Sequence, residues 1–245
     1  MAHWKIGIAM VIVFLFSGCG IFLRNRKTDH AGLERYDYDL PIILYPSAEP
    51  ASKKLIFILS GDGGWLDFED ELARQFSEKG FHTVGFNSRN YFWTQRTPQE
   101  LSKDILLLLR TYRRKYKASE IYLCGYSFGA DVVPFIYNRL PFRAKRRVIS
   151  LQLLSPFAST AFKVHTADLL NLAGDDKAYK VIPEVEKIHI PVFCYYGLEE
   201  NPKPLNELKL KNFKIKLLPG DHHYEFPASQ TIVSECGKSL PQLPY

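Results

Sequence analysis

Ser127 lies in Gly125-Tyr126-Ser127-Phe128-Gly129, a G-x-S-x-G pattern that follows the apolar run Ile121-Tyr122-Leu123-Cys124 and precedes a helix expected over 130–138. In that setting the glycines permit a strained strand-to-helix turn. The turn lifts the serine hydroxyl above a sheet, and the helix N-terminus aims backbone N–H groups at it. A serine so placed can attack an ester. The pattern also arises by chance, so its partners decide.

A serine hydroxyl is a poor nucleophile until an imidazole takes its proton, and a carboxylate must hold that imidazole in the right tautomer. The chain order serine, acid, histidine is available. A strand expected over 190–196 ends at Gly197-Leu198-Glu199-Glu200, where Glu200 is the candidate acid and Glu199 its alternative. The alternating segment 213–218 leads into Pro219-Gly220-Asp221-His222-His223-Tyr224. His222 is the candidate base, because a glycine-x-histidine approach precedes it and an aromatic follows two residues later; His223 remains open. The developing oxyanion needs two backbone N–H groups. One is expected from Phe128. The other is expected from Ser60-Gly61-Asp62-Gly63-Gly64-Trp65, with Asp62 first and Gly63 second, although such a stretch is also an ordinary tight turn.

The elements that must position these residues follow a βα rhythm. An edge strand is expected over 36–45 and a core strand over 55–59. A helix capped by Asp67 carries Phe68, Leu72 and Phe76 on one face and stops at Gly80. Strand 82–87 comes next. Thr97-Pro98-Gln99-Glu100 is a capping box with proline at the first helical position, opening a helix whose stripe runs from Leu101 to Tyr116. Strand 148–154 follows the elbow, and the irregular stretch 155–186 is expected to overlie the site. Strands separated by helices imply an α/β fold, a mostly parallel sheet with helices on both faces. With 245 residues, 46% hydrophobic and 24% charged, the chain suits a single domain, set at 36–245.

Residues 1–18 read as a signal peptide: Lys5, then an apolar run over 6–16, then Phe16-Ser17-Gly18-Cys19. That ending resembles a bacterial lipobox, making Cys19 the candidate lipidation site and 19–35 a tether, although Phe16 stands where leucine is usual. Left uncleaved, the segment would be a signal anchor. Either way the domain is expected in the periplasm beside a membrane. The 32 Lys plus Arg against 26 Asp plus Glu give +6, concentrated at 24–27, 110–117 and 143–147. Such runs are usually solvated helix faces, or they attract an anionic membrane surface. No reader motif points to nucleic acid. Cys124, Cys194 and Cys236 read as small core residues, no spacing suggests a metal, and no cofactor is called for.

Four blocks in order carry a resemblance: 60–65, then Asn90-Tyr91-Phe92-Trp93 with Arg96-Thr97-Pro98, then Gly125 to Asp131, then Gly220-Asp221-His222-His223. Together they resemble the VirJ/AcvB family of bacterial virulence proteins over about 56–224. The resemblance implies an α/β-hydrolase fold, export across the inner membrane, and hydrolysis of aminoacyl-phosphatidylglycerol, notably the lysyl form. The lipobox-like start and Asn201-Pro202-Lys203-Pro204 are local departures.

That substrate joins a cationic amino acid to an anionic lipid by an ester, so its site needs negative groups at the acyl side and positive or apolar groups at the lipid side. Asp62 and Asp131 are candidates for the ammonium, against a turn bond for Asp62 and a structural role for Asp131. Tyr91, Phe92 and Trp93 are candidates for a substrate wall, with Arg89 or Arg96 at the phosphate, against plain packing. Three functions compete: an aminoacyl-phospholipid hydrolase, a serine esterase or thioesterase of another small substrate, and a non-catalytic secretion-associated binding protein.

Overall fold

The computed structural model describes residues 28–164, 177–225 and 227–236. The expected signal peptide 1–18, the candidate lipidation site Cys19 and part of the stretch expected over the site lie outside the described residues. Strands β1 (Arg35–Asp37), β2 (Leu40–Tyr45) and β3 (Lys54–Leu59) are followed by α1 (Asp67–Glu78), β4 (Phe81–Phe86), the short α2 (Ser88–Tyr91) and α3 (Pro98–Lys115). Then come β5 (Glu120–Tyr126), α4 (Phe128–Arg139), α5 (Phe142–Lys145), β6 (Val148–Leu154), β7 (Ser159–Thr160) and β8 (Tyr179–Lys180). The series closes with α6 (Ile182–Val185), β9 (Val192–Gly197), β10 (Phe213–Leu218) and α7 (Ala228–Glu235).

An eight-stranded sheet in the order β1-β2-β4-β3-β5-β6-β9-β10 forms the centre. The first two pairings are antiparallel and the remaining five parallel. Parallel strands covered on both faces need apolar residues at successive positions. In β3, Leu55, Phe57 and Leu59 join the core beneath α3 and α4, whereas Ile56 and Ile58 join the core beneath α1 and α7. The matched register ends these strands together, pairing Leu59 with Phe86 and Gly125, Tyr126 with Leu154, and Gly197 with Leu218. Every loop expected to carry chemistry therefore leaves one edge.

Two expectations change. The single edge strand over 36–45 is a hairpin, because Tyr38 and Asp39 both take positive φ (55° and 61°), the geometry of a two-residue turn that matches strand twist. Asp67 does not cap α1. Leu66 holds the cap position, its N–H donates to Glu69 Oε2 at 3.3 Å, and Gly80 (φ 84°) follows the helix end. The Asp67 carboxylate instead takes the Thr28 N–H at 2.9 Å and pairs with His30 Nε2 at 2.8 Å. The capping box at Thr97 and Glu100 forms as expected, with bonds of 2.8 and 3.2 Å.

Trp65 anchors the loop after β3. It is fully buried, and its Nε1–H donates to the Tyr45 hydroxyl at 3.1 Å. Its ring lies directly on Gly85 of β4, where a Cβ would sit 2.3 Å from ring carbon Cη2. Only glycine allows that approach. Gly85→Ala is expected to expel the indole and lower unfolding free energy by about 1–3 kcal/mol, measured by urea denaturation; an unchanged midpoint would show that the contact carries no stability.

Candidate active site

Ser127 sits between β5 and α4 with φ 52° and ψ −120°, a conformation sparsely populated for a residue with a side chain. The tight turn is held from both sides: the Ser127 N–H donates to the Leu154 carbonyl at 2.8 Å, and its own carbonyl accepts the Ala130 N–H at 2.8 Å. A Cβ on Gly129 would lie 2.2 Å from the Leu59 carbonyl oxygen, so the first turn of α4 rests against the end of β3. The pattern's second glycine is thus required by contact.

The His222 ring bridges the other two candidates. Its Nε2 lies 2.9 Å from Ser127 Oγ, and its Nδ1 lies 2.9 Å from Glu200 Oε1. Both contacts are within hydrogen-bonding reach. The Tyr126 hydroxyl donates to the His222 carbonyl at 2.9 Å, and the Phe157 ring stands 5.2 Å from the imidazole. Glu200 is buried; its Oε2 accepts the Gly197 N–H at 3.0 Å and the Ser155 hydroxyl at 2.7 Å. Ser155 in turn lies 2.7 Å from the Tyr224 hydroxyl. Glu199 and His223 are exposed and outside this line of contacts, and His223 faces Asp221 at 3.6 Å.

The loop over 60–65 runs beside the serine: a Cβ on Gly61 would be 3.5 Å from the Ser127 Cβ. Glu69, buried in the first turn of α1, holds this loop at both ends, accepting the Gly61 N–H at 3.2 Å and the Leu66 N–H at 3.3 Å. Phe128 opens α4, where a first-turn N–H has no acceptor within its own helix.

The remaining candidates separate. Asp131 is 2% exposed, and its Oδ1 accepts the Phe157 N–H at 2.6 Å. Burial pushes its carboxyl well above the usual aspartate range, against the pull of that N–H and of Lys177. The contact fastens the segment that lays Phe157 against His222, which is the structural reading of Asp131. Tyr91 also falls to packing: it is buried, donates its hydroxyl to Asp104 Oδ2 at 2.6 Å, and carries the Arg96 guanidinium 4.7 Å above its ring. Its buried, bonded hydroxyl leaves no wall for a substrate. Phe92 is the aromatic that reaches the site, its ring 4.8 Å from that of Phe128, while Trp93 is exposed. Asp62 is half-buried, and its charge acts on both Tyr126 and Asp131.

Glu69 and Ser155 were not singled out by type and spacing, and Tyr224 figured only as the aromatic two residues after His222. Glu69 carried no usable signal, because the cap it follows by three residues is Leu66, a side chain that cannot cap; Ser155 had its place at the end of a buried strand. Burial pushes the Cys124, Cys194 and Cys236 thiols up, and the described residues contain no metal-binding cluster.

This architecture is similar to several solved structures. Est1E from Butyrivibrio proteoclasticus aligns with a TM-score of 0.60 at 17% identity, covering 82% of this chain and 95% of that one. A proline iminopeptidase from Mycobacterium smegmatis aligns at 0.58 and 12% identity, covering 82% and 96%. The thioesterase domain from the curacin biosynthetic pathway aligns at 0.53 and 13% identity, covering 86% and 99%. At such identities the likeness establishes the fold, that of the α/β-hydrolases. No curated protein sequence matches the chain. The sequence profile described as Bacterial virulence protein (VirJ) matches residues 53–235, a span that runs from β3 to α7 and holds Ser127, Glu200 and His222; the chain belongs to the VirJ family.

Proposed function

We propose that the protein is a serine hydrolase of carboxylic esters that works through an acyl-enzyme on Ser127. The observation that carries this reading is the unbroken line from Ser127 Oγ through His222 to Glu200, with both contacts at 2.9 Å. His222 Nε2 removes the hydroxyl proton as Oγ bonds to the ester carbon, and the oxyanion is assigned to the Phe128 and Asp62 N–H groups. Collapse expels the alcohol, which takes the proton from His222. Water then enters by the same route, giving its proton to His222 and its oxygen to the acyl carbon, and Ser127 leaves with the proton. Glu200 keeps Nδ1 protonated and stabilises the imidazolium. Ser155, Gly197 and Tyr224 orient Glu200, and Glu69 shapes the oxyanion loop.

Within that class, the substrate we favour is aminoacyl-phosphatidylglycerol in its lysyl form. Beyond the resemblance already described, the local field supports a cationic acyl group: besides burial, the charges of Glu69, Glu200, Asp221 and Asp62 all hold the proton on the Tyr126 hydroxyl, next to the nucleophile. Asp62 is the remaining candidate for the ammonium and Trp93 for the lipid side. A different small ester or thioester fits the same machinery, since a fold does not select a substrate. The aligned Ser127, His222 and Glu200 weigh against a purely binding role. The same reading sets the domain in the periplasm, anchored through Cys19.

Ser127→Ala is expected to abolish fluorophosphonate labelling and lower ester hydrolysis about 10⁴-fold, with His222→Ala close behind and His223→Ala near the parent rate. Labelling that survives in Ser127→Ala, or is missing from the folded parent, would remove the hydrolase assignment. Incubation with lysyl-phosphatidylglycerol and with neutral aminoacyl and short-chain esters then ranks the substrates.

Asp131 permits a separate test. A carboxyl raised in the folded state binds its proton more tightly there than in the unfolded chain. Its stabilising contribution is therefore complete below the ordinary value near 4 and is lost as pH climbs through the raised value. Asp131→Asn keeps an acceptor for the Phe157 N–H without that slope. Melting curves are expected to show the variant gaining on the parent as pH rises from about 4, with the lysyl preference unchanged. Asp131→Ala, lacking the acceptor, is expected to lose about 1–3 kcal/mol. A lost lysyl preference in Asp131→Asn would return this residue to the substrate.

A further inference from the structure

We propose that the sheet edge carrying Ser127 docks on the bilayer to which the N-terminal segment is attached, with Trp93, Phe157 and Leu198 meeting the lipid. These side chains leave that edge after β4, β6 and β9, and are 59%, 38% and 58% exposed. They frame the candidate site. The Phe157 ring stands 5.2 Å from His222, Leu198 follows the Gly197 whose N–H binds Glu200, and Trp93 follows the Phe92 packed on Phe128. An apolar rim around a polar cleft marks an interaction surface, and a tryptophan suits the headgroup level of a bilayer.

The course of the chain identifies the occupant. The described residues begin on this same edge: the Thr28 N–H donates to Asp67 Oδ2 at 2.9 Å, the His30 N–H donates to the Trp65 carbonyl at 2.9 Å, and Asp29 bridges to Leu66. These partners directly follow the oxyanion loop. Cys19 precedes Thr28 by nine residues, which span at most about 30 Å when extended. Residues 20–27 include Arg24, Arg26 and Lys27 and no acid, a composition that favours anionic headgroups. Whether the chain is held by a lipid on Cys19 or by the apolar run 6–16, the site edge is drawn to that membrane.

The basic runs 110–117 and 143–147 lie at the opposite edge. The Ala118 N–H donates to the Arg113 carbonyl at 3.0 Å and the Ile121 N–H to the Arg147 carbonyl at 2.9 Å, so both runs meet the start of β5. Phe142, 73% exposed, lies there too. The seven residues of β5 separate the two edges by about 20 Å. A bilayer seated on the basic edge would leave Ser127 facing away from a lipid ester. Of the two readings charge allows for those clusters, solvated faces or attraction to an anionic membrane, this proposal takes the first for the anchoring membrane.

The test uses full-length protein bound to phosphatidylglycerol and phosphatidylethanolamine vesicles, with an environment-sensitive fluorophore on Leu198→Cys or on Phe142→Cys and the unsubstituted chain as labelling blank. Cys124, Cys194 and Cys236 are buried. Nitroxide lipids are expected to quench the probe at 198 several-fold more than the probe at 142. Equal quenching, no quenching at either position, or stronger quenching at 142 would overturn the proposal. Its choice of lipid substrate rests on the hydrolase reading, but quenching does not; fluorophosphonate labelling reports that reading separately, and circular dichroism verifies each variant's fold. Leu198→Glu is further expected to lower the ratio of vesicle-borne to soluble ester hydrolysis about tenfold; an unchanged ratio would count against lipid contact at this rim.

Discussion

The contact of Gly129 with the Leu59 carbonyl is the constraint on which the site depends. It sets the first turn of α4 against the end of β3, so the residue before that turn is forced into the left-handed backbone seen at Ser127. The serine is consequently raised at the edge where the parallel strands finish, within reach of loops from β3, β6, β9 and β10. A larger residue at 129 would push helix and strand apart, and the 2.9 Å contact with His222 would go with them. Backbone strain of this kind persists only where surrounding structure over-determines it. Here the Leu154 carbonyl, the Ala130 N–H and the two-sided core supply that restraint.

Three buried carboxylates share a second task. Glu69 takes the Gly61 and Leu66 N–H groups, Asp131 takes that of Phe157, and Glu200 takes that of Gly197. Each acts from inside the domain on a loop that leaves the same edge. A buried acceptor left without donors is costly, so each pairing fixes its loop more firmly than a surface contact would. The proposed nucleophile, base and oxyanion donors are thereby held before any substrate arrives, which is the condition for electrostatic stabilisation of a transition state. Glu69 and Glu200, together with Asp62 and Asp221, also help hold the proton on the buried Tyr126 hydroxyl.

The two edges of the sheet divide the surface. Incoming chain, apolar rim and candidate site occupy one, while the basic runs 110–117 and 143–147 occupy the other. No helix among the described residues is long and apolar enough to cross a membrane. In our proposal the domain meets lipid by contact, with the N-terminal segment bringing the rim to the bilayer. The cations at the far edge are then solvated or meet some other anionic surface.

Much was determined by sequence alone. The chain order serine, acid, histidine was legible with two choices left open at the acid and at the base, and G-x-S-x-G between an apolar run and a helix, the capping box at Thr97 and the two-faced strand at 55–59 are local patterns that survive without coordinates. Their residue types dictate backbone geometry within a few positions. Tertiary structure alone decided which of two adjacent residues lies in line with Ser127, Glu200 rather than Glu199 and His222 rather than His223, because neighbours in a loop differ only in what lies across from them. It also turned Asp131 and Tyr91 inward, gave Asp67 to the N-terminal segment, and added Glu69, Ser155 and Tyr224. Those assignments depend on partners between 8 and 69 residues away, and only the packing of strands in register brings such partners within a hydrogen bond of one another.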